Sequence, residues 1–270
     1  MNRGVVAAQS GKLASGVELV REAIAAYPGN ASAYYNLGHL LRRSGDLAGA
    51  RDAFKKGAYV APEGDAIGVE MEVQLGSVLL ELSSAAGTSA VDRERRLREA
   101  LKALDRAITA DPNAAEAYRI RGMTFDRLGD ARTADSDLRR CIQINPRNGR
   151  CWAALGQMYA EHGFVQEGIE IVELGAKVND ADWAMWMGSA KVHMIANETQ
   201  AAVDSYQRAR SISPDSPEVW YGLGVVYTVG RRRREAVVAL KNFLRLAGPT
   251  VGEGRKRAVL NTIARLEDTI

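Results

Sequence analysis

The chain has 270 residues, of which 46% are hydrophobic and 26% are charged, and its formal net charge is only +3 at pH 7. So small a net charge gives no bulk argument for binding nucleic acid or a membrane surface. No apolar run approaches the roughly 18 residues of a membrane-spanning helix, and the first residues lack the pattern of a signal peptide. Two cysteines make neither a disulfide framework nor a zinc-ligand set, so Cys141 is expected to be a buried, inert thiol.

Residues 31–64 contain two apolar-periodic segments that serve as the template for most of the chain. In each segment, apolar and small residues recur at intervals of three and four, which predicts one face of an α-helix. Gly45 can adopt the left-handed conformation that ends the first helix, and Asp46 can cap the second. Pro62 then stops the unit. A helical hairpin this short cannot bury both of its faces alone, so further copies are expected.

The copies follow at intervals of about 34 residues. One small residue marks the first helix of each copy, namely Gly38, Gly76, Gly122, Gly156, Ala190 and Gly224. The pattern resembles that of the tetratricopeptide repeat (TPR) family, in which an aromatic residue, Leu-Gly, a second aromatic residue, Ala, Phe, Ala and Pro recur at fixed offsets. The resemblance implies an all-α fold, a right-handed α-solenoid of about seven TPR helix-turn-helix repeats with a C-terminal capping helix. The excess of arginine over lysine favours a bacterial member.

In chain order, a single solenoid is predicted over residues 1–270. Residues 1–30 form a partial repeat with Gly4 and Gly11 in its first helix and turn, and its clipped start keeps a missing signal or anchor open. Further repeats are expected near residues 31–64, 66–114, 115–148, 149–182, 183–216 and 217–250, with Pro249 closing the last one late. The third contains an insertion, residues 83–92, whose Ser, Ala and Gly content predicts a flexible loop ended by Asp92 as a helix cap. It is either a tolerated length variant or a loop that contacts a partner.

Residues 255–270 are predicted to form the capping helix. One face is apolar and the other is charged, which is what a helix that covers the last repeat needs. The apolar face consists of Val259, Leu260, Ile263, Leu266 and Ile270.

The resemblance to the TPR family also implies a concave groove, lined by a second stripe of each first helix, in which an extended or helical peptide docks. The predicted groove residues are Tyr35, Asn36, His39, Arg43, Arg119, Met123, Gln157, Met187, Lys191, Met194, Tyr221 and Val225. The stripe is polar and partly basic early in the chain and apolar in the last two repeats, where methionine suits an adaptable binding surface. We therefore expect an apolar anchor of a partner to dock on the last two repeats, with its polar or acidic remainder toward His39, Arg43 and Arg119. The alternative is that the capping helix folds over this stripe.

Two specialised groups within the family are not matched. The carboxylate clamp of the heat-shock cochaperones would need basic and amide residues where this chain has Met1, Val5, Glu70 and Gln74, and only Asn36 agrees. The asparagine ladder of the sugar-transferase members is also absent, because Asn36 is followed at the equivalent positions by Gln74, Ile120, Ala154 and Gly188.

No catalytic motif is found in the sequence. His39, His162 and His193 do not have metal-ligand spacing with other His, Cys, Asp or Glu residues, and no phosphate-binding loop, dinucleotide fingerprint or nucleophile elbow is present. We expect no enzyme activity, catalytic residue, metal or cofactor. The predicted function is that of a protein–protein interaction scaffold or adaptor that supports assembly of a multiprotein complex.

A run of four arginines forms a predicted basic edge in the turn of the last repeat, Arg231, Arg232, Arg233 and Arg234. A solvated edge is the simpler interpretation; an acidic partner, nucleic acid or an anionic membrane surface is the alternative function. Specific nucleic-acid recognition is not expected, because no aromatic residues interleave the arginines. The expected location is cytoplasmic by default, and periplasmic or membrane-anchored if an N-terminal segment is missing.

Overall fold

The computed structural model describes residues 13–248 and 251–268, which contain fourteen α-helices and no β-strand. The predicted all-α fold class is therefore confirmed. The predictions for Gly4, Gly11, Pro249 and Ile270 lie outside the described residues. The helices are α1 (Leu13–Ala26), α2 (Ala31–Ser44), α3 (Leu47–Val60), α4 (Ala66–Ser83), α5 (Ala90–Ala110), α6 (Ala115–Arg127), α7 (Ala131–Ile144), α8 (Gly149–Glu161), α9 (Val165–Val178), α10 (Trp183–Ile195), α11 (Thr199–Ile212), α12 (Pro217–Val229), α13 (Arg233–Ala247) and α14 (Glu253–Glu267).

The helices form two compact units whose boundary falls after Asp137, inside α7. In the first unit each helix from α1 to α6 packs on the next one along the chain, and in the second unit the same holds from α8 to α14. The first helices of successive hairpins also touch within a unit, α2 with α4, α4 with α6, α8 with α10, and α10 with α12. Each unit is thus a stack of helix-turn-helix repeats, as a TPR solenoid requires.

The turn inside the hairpin recurs with one geometry. Gly45 has φ of +83° and follows α2, as predicted, and the N–H of Asp46 donates to the carbonyl of Leu41 at 2.9 Å. Four later turns have the same geometry. In each, one residue has a positive φ, and the N–H of the next residue donates at 2.9 Å to the carbonyl five residues before it. There the left-handed residues are Gly129, Gly163, Asn197 and Arg231. Such a bond satisfies a carbonyl at the helix end that would otherwise be unpaired.

The helix that follows the first of these turns is capped as expected. The Asp46 carboxylate accepts a hydrogen bond from the N–H of Gly49 at 2.8 Å. The α3 helix ends at Val60, two residues before Pro62. Both the start and the end of α3 therefore follow from local chemistry.

The third hairpin differs from its prediction. The α4 and α5 helices extend into the predicted insertion, so only residues 84–89 connect them, and the cap of α5 is Ser89 rather than Asp92. The Ser89 hydroxyl accepts from the N–H of Asp92 at 3.0 Å and donates to its carboxylate at 2.8 Å. The Arg96 guanidinium bonds to the Leu82 carbonyl and the Thr88 hydroxyl, which ties the connection to α5. Of the predicted insertion, only Ser83 and residues 90–92 join the helices.

The first helices of the second unit share an indole anchor near their start. The indole N–H groups of Trp152, Trp186 and Trp220 each donate to the backbone carbonyl six residues earlier, at 2.7–2.8 Å. Each tryptophan thereby fixes the entry of its helix while its ring covers apolar surface.

Small residues set the closest helix approaches. A Cβ on Gly38 would overlap the ring of Phe54, so this glycine lets α2 and α3 meet. A Cβ on Gly188 would overlap Ala153. The backbone of α10 at Gly188 therefore packs directly against the Ala153 side chain of α8.

The prediction that Cys141 is a free thiol is wrong. Cys141 in α7 and Cys151 in α8 form a disulfide, with their Cα atoms 5.8 Å apart and both side chains fully buried. The short turn between α7 and α8 brings the end of one helix beside the start of the next. Counting cysteines excludes a framework of several disulfides, but it does not exclude a single bridge.

The predicted capping helix is present as α14, and one residue of its predicted face is misplaced. Val259 and Ile263 are buried and Leu266 packs with them against α13. Leu260, however, is 47% exposed. Because one turn of helix takes 3.6 residues, the residue beside Val259 points about 100° away from it.

Candidate functional site

The predicted groove residues of α2 form an aromatic contact rather than a charged surface. The His39 ring lies edge-on to Tyr35 and to Phe54, with ring centroids 4.4 and 5.2 Å away. Its Nε2 atom is buried and has no hydrogen-bond partner in the described part of the chain. Burial, with a smaller contribution from Arg42, lowers the pKa of His39. His39 is therefore a poor cation for an acidic peptide near neutral pH.

The polar residues beside it are paired with one another. Arg42 donates to the side-chain oxygen of Gln74 at 3.2 Å and forms an ion pair with Glu81 at 3.2 Å, and Gln74 donates to Glu70 at 2.7 Å. Burial, followed by the charge of Glu70, raises the pKa of Tyr35. Two of the positions where a cochaperone would have clamp residues, Glu70 and Gln74, thus belong to an internal network between α2 and α4.

Arg119 in α6 is held by its own helix. Its guanidinium makes two hydrogen bonds to Glu116, at 2.6 and 2.9 Å, and contacts the sulfur of Met123 at 3.0 Å. Arg43, by contrast, is exposed and has no carboxylate partner among residues 13–248 and 251–268, and Asn36 is half-buried. Of the three positive positions predicted for the acidic part of a partner, only Arg43 presents an unpaired charge.

In the second unit, the two methionines of α10 rest on the core. Met187 and Met194 are half-buried and pack against the cluster that contains Tyr206 and Leu223. Lys191 is exposed between them, and Gln157 in α8 donates to Glu161 at 2.6 Å. The methionine side chains therefore contribute both to folding and to the surface.

The predicted residues of α12 line a cleft that α14 closes on one side. The cleft has a volume of about 290 Å³ and is lined by Tyr221, Gly224, Val225, Thr228, Val229, Leu240, Arg255, Ala258, Val259, Thr262 and Arg265. We call it the α12–α14 cleft. Leu240 is buried, whereas Val229 is 61% exposed. The cleft thus offers apolar surface that the core does not fully cover.

Arg255 covers part of this surface. Its guanidinium lies 4.3 Å from the ring centroid of Tyr221 and 5.3 Å from that of Phe243, and the two rings are 5.1 Å apart. This stack is a cation–π arrangement. The capping helix therefore covers Tyr221 in part, while Val225 and Val229 stay accessible beside it.

The sequence also carries a signal that α14 lines this cleft. Arg255, Val259 and Thr262 follow Tyr221, Val225 and Thr228 by one repeat length in the sequence. That register indicates that α14 occupies the position of a further first helix, whose groove side would face α12.

The four arginines of the basic edge are not equivalent. Arg232 stacks over Tyr227, with its guanidinium 4.6 Å from the ring centroid, and donates to Glu235 at 2.9 Å. Arg231 and Arg234 are exposed, and Arg231 has φ of +56°. The edge therefore does not present four equally free charges.

Two further observations concern the described residues only. No set of three His, Cys, Asp or Glu side chains among them is arranged to hold a metal ion. None of the fourteen helices is both long and apolar enough to cross a membrane.

Comparison with known proteins identifies tetratricopeptide repeats. One family model, described as tetratricopeptide repeat, matches residues 1–65 and 84–134, and a second, described as TPR repeat, matches residues 190–228. Together they match more than half of the chain. The gap between the two segments of the first match overlaps α4, where the hairpin departs from the regular length.

Among curated proteins, the chain is 26% identical to "Tetratricopeptide repeat protein 37" of Xenopus laevis over 221 residues, which is 79% of this chain and 12% of that protein. It is 21% identical to "Anaphase-promoting complex subunit 3" of Schizosaccharomyces pombe over 56% of this chain and 27% of that protein. The chain thus spans only a small part of these relatives.

A tetratricopeptide repeat protein from Parabacteroides merdae has a similar fold over nearly its whole length. The TM-score is 0.63 at 17% identity, covering 97% of this chain and 96% of that one. A second solved structure, that of MamA, gives a TM-score of 0.53 at 21% identity, covering 66% of this chain and 95% of that one.

Proposed function

Because the chain belongs to the tetratricopeptide repeat family, whose members mediate protein–protein interactions, we propose that it is a non-enzymatic scaffold that holds a partner peptide. In this proposal the apolar anchor of the peptide enters the α12–α14 cleft. The peptide then runs along the exposed side of α10, past Lys191. Binding to such a surface would bring a partner into a larger complex without any chemical step.

The observation that carries the proposal is the apolar surface left open in the cleft. Val225 is half-buried and Val229 is 61% exposed, although both belong to a helix with an otherwise buried apolar face. Exposed apolar surface in a concave site favours a binding role. At about 290 Å³ the cleft is at the small end of ligand pockets, which suits one or two side chains of a peptide.

The predicted groove stripe of the first unit is a weaker candidate for holding the peptide. On this stripe Arg42 and Arg119 are paired with Glu81 and Glu116, so the stripe itself offers little free charge to an acidic peptide. The proposal therefore has the peptide held by the second unit alone.

The test begins with peptides selected from a random phage-displayed library against the full chain. Val229→Asp should weaken the selected peptides at least tenfold, because it places a carboxylate in the path of the apolar anchor. Val238→Asp is the matched control, since Val238 is 57% exposed and lies on α13 outside the cleft. Affinity is measured by fluorescence polarisation.

A cross-linking arm locates the peptide independently of the substitutions. A photoreactive residue in place of Thr228 should capture the selected peptide, and the same residue in place of Val238 should not. Two results together would show that the cleft is not the site. The selected peptides would bind Val229→Asp as tightly as the unmodified chain, and their cross-links would fall outside α12 and α14.

A further inference from the structure

A second groove lies between α3 and α5, the second helices of two successive hairpins. It is lined by Arg51, Asp52, Lys55, Leu75, Leu79, Arg95, Glu99, Lys102 and Arg106 and has a volume of about 450 Å³. We call it the α3–α5 groove. Leu75 and Leu79 of α4 form its floor, and they belong to the buried face of α4 rather than to the side that carries Gln74. The groove is thus separate from the predicted peptide stripe.

Helical spacing places the charged side chains along both walls. Arg95, Glu99, Lys102 and Arg106 recur at intervals of four, three and four on α5, and Arg51 and Lys55 are four apart on α3. Residues with these intervals share one face of a helix. At 1.5 Å per residue, the wall from Arg95 to Arg106 is about 16 Å long.

The groove is locally basic. Its lining has five cations and two carboxylates, a net charge of +3, which equals the net charge of the whole chain. Three of the five cations already have partners: Arg106 makes two 2.7 Å bonds to Glu72, Arg51 bonds to Asp52 at 2.9 Å, and Arg95 bonds to Asp92 at 2.8 Å. Lys55 and Lys102, on opposite walls, have no carboxylate within 4.0 Å among the residues that the structure describes.

We propose that the α3–α5 groove binds an acidic, extended peptide segment of a protein partner. Carboxylates of the segment pair with Lys55 and Lys102, and its methylene groups lie on Leu75 and Leu79. An extended chain rises about 3.3 Å per residue, so about five residues span the groove. The lining has no aromatic residue for stacking nucleic-acid bases, which favours a peptide.

The probe is a fluorescein-labelled peptide of five glutamates, compared with one of five glutamines. The full chain should bind the glutamate peptide at 50 mM salt and lose at least threefold in affinity at 300 mM, because exposed ion pairs are screened. Lys55→Glu/Lys102→Glu should weaken binding at least tenfold. The matched control is Lys56→Glu/Lys177→Glu, which makes the same charge change at two exposed lysines outside the groove.

Three outcomes would overturn the proposal. The first is equal affinity for the glutamate and glutamine peptides, and the second is an equal loss of affinity in the control variant. The third is that an oligothymidylate of 20 nucleotides binds more tightly than the glutamate peptide and displaces it. Circular dichroism checks that each variant keeps its helix content, and Lys55→Gln/Lys102→Gln repeats the test without added carboxylates. Val229→Asp should leave the glutamate peptide bound, so this proposal and that of the α12–α14 cleft can fail separately.

Discussion

Arg231 occupies a backbone position that favours glycine. Its φ of +56° lies in the left-handed region, as do those of Gly129 and Gly163 in the equivalent turns, at +87° and +91°. An L-residue in the left-handed region costs about 1–2 kcal/mol, and glycine loses about 0.5–1 kcal/mol more backbone entropy on folding. We therefore expect Arg231→Gly to raise the free energy of unfolding by about 0.5–1 kcal/mol, measured by urea denaturation.

Arg231→Ala separates backbone strain from charge. Alanine keeps the Cβ and its strain but removes the guanidinium, so its stability should stay within about 0.5 kcal/mol of the unmodified chain. If the alanine variant gains as much as the glycine variant, repulsion within the arginine run is the cause and the backbone argument fails.

His39 makes stability depend on pH. Its pKa is lowered in the folded chain by burial and then by Arg42, so the unfolded chain takes up a proton first as the pH falls. The stabilisation is complete above the unfolded pKa of about 6.5 and is lost as the pH falls toward the folded pKa. We expect His39→Leu to reduce the loss of unfolding free energy between pH 7.5 and pH 5.5, followed by urea denaturation at each pH.

His162→Gln is the control for the pH dependence, since His162 is exposed in a turn. It should leave the difference between the two pH values unchanged. An unchanged difference in His39→Leu would mean that other groups set the acid sensitivity and that the buried imidazole contributes little.

At the scale of helices, the disulfide joins α7 to α8 across a short turn. Its two cysteines are ten residues apart in sequence. In the chain-entropy account, closing a loop of this size stabilises the folded state by about 2–3 kcal/mol. We expect reduction under denaturing conditions, followed by refolding with reductant present, to lower the free energy of unfolding by that amount.

A Cys141→Ala/Cys151→Ala variant provides the comparison. It should unfold with the same free energy with and without reductant, close to that of the reduced chain. A thiol count of two in the unfolded, unreduced protein would show that the bridge does not form in the compartment where the protein was made. Such a result would favour a reducing location, where protein disulfides are rare.

The helices were predictable because their signals are local. Apolar periodicity, the Gly45 turn and the Asp46 cap depend on residues within one hairpin, and these predictions hold in the structure. The extra residues of the third hairpin were misassigned because two helices of different length fit the same apolar pattern. Ser89 and Asp92 are both acceptable caps, and only the geometry shows that the serine hydroxyl accepts from the aspartate N–H.

At the scale of the whole molecule, the binding surfaces were less predictable than the fold. Arg119 has a basic side chain at a groove position, but its charge is used by Glu116. Arg42 is paired with Glu81 of α4, a residue that lies far away in sequence. Periodicity assigns a residue to a face, whereas the availability of its charge depends on which carboxylates pair with it, on its own helix for Arg119 and on another helix for Arg42. The α3–α5 groove was missed for the same reason, because its walls come from two separate hairpins.

The last prediction concerns α14, whose apolar face covers α13. Ile263 is 5% exposed and packs with Val259, Phe243 and Leu240, whereas Leu260 on the same helix is 47% exposed. Burying a carboxylate among these residues costs several kcal/mol unless α14 detaches. We expect Ile263→Asp to lower the free energy of unfolding by about 3–4 kcal/mol and to promote self-association when α13 is uncovered, since uncovered repeats expose apolar surface.

Leu260→Asp tests whether the effect comes from the buried face of α14. This variant should stay within about 0.5 kcal/mol of the unmodified chain and remain monodisperse, because the carboxylate replaces a side chain that is already in contact with solvent. Urea denaturation gives the stability, and size-exclusion chromatography with light scattering gives the association state. Equal losses in the two variants would mean that α14 tolerates no carboxylate on either face. Ile263→Asp without any loss would mean that α14 adds no stability to α13, and the α12–α14 cleft would then lack a fixed second wall.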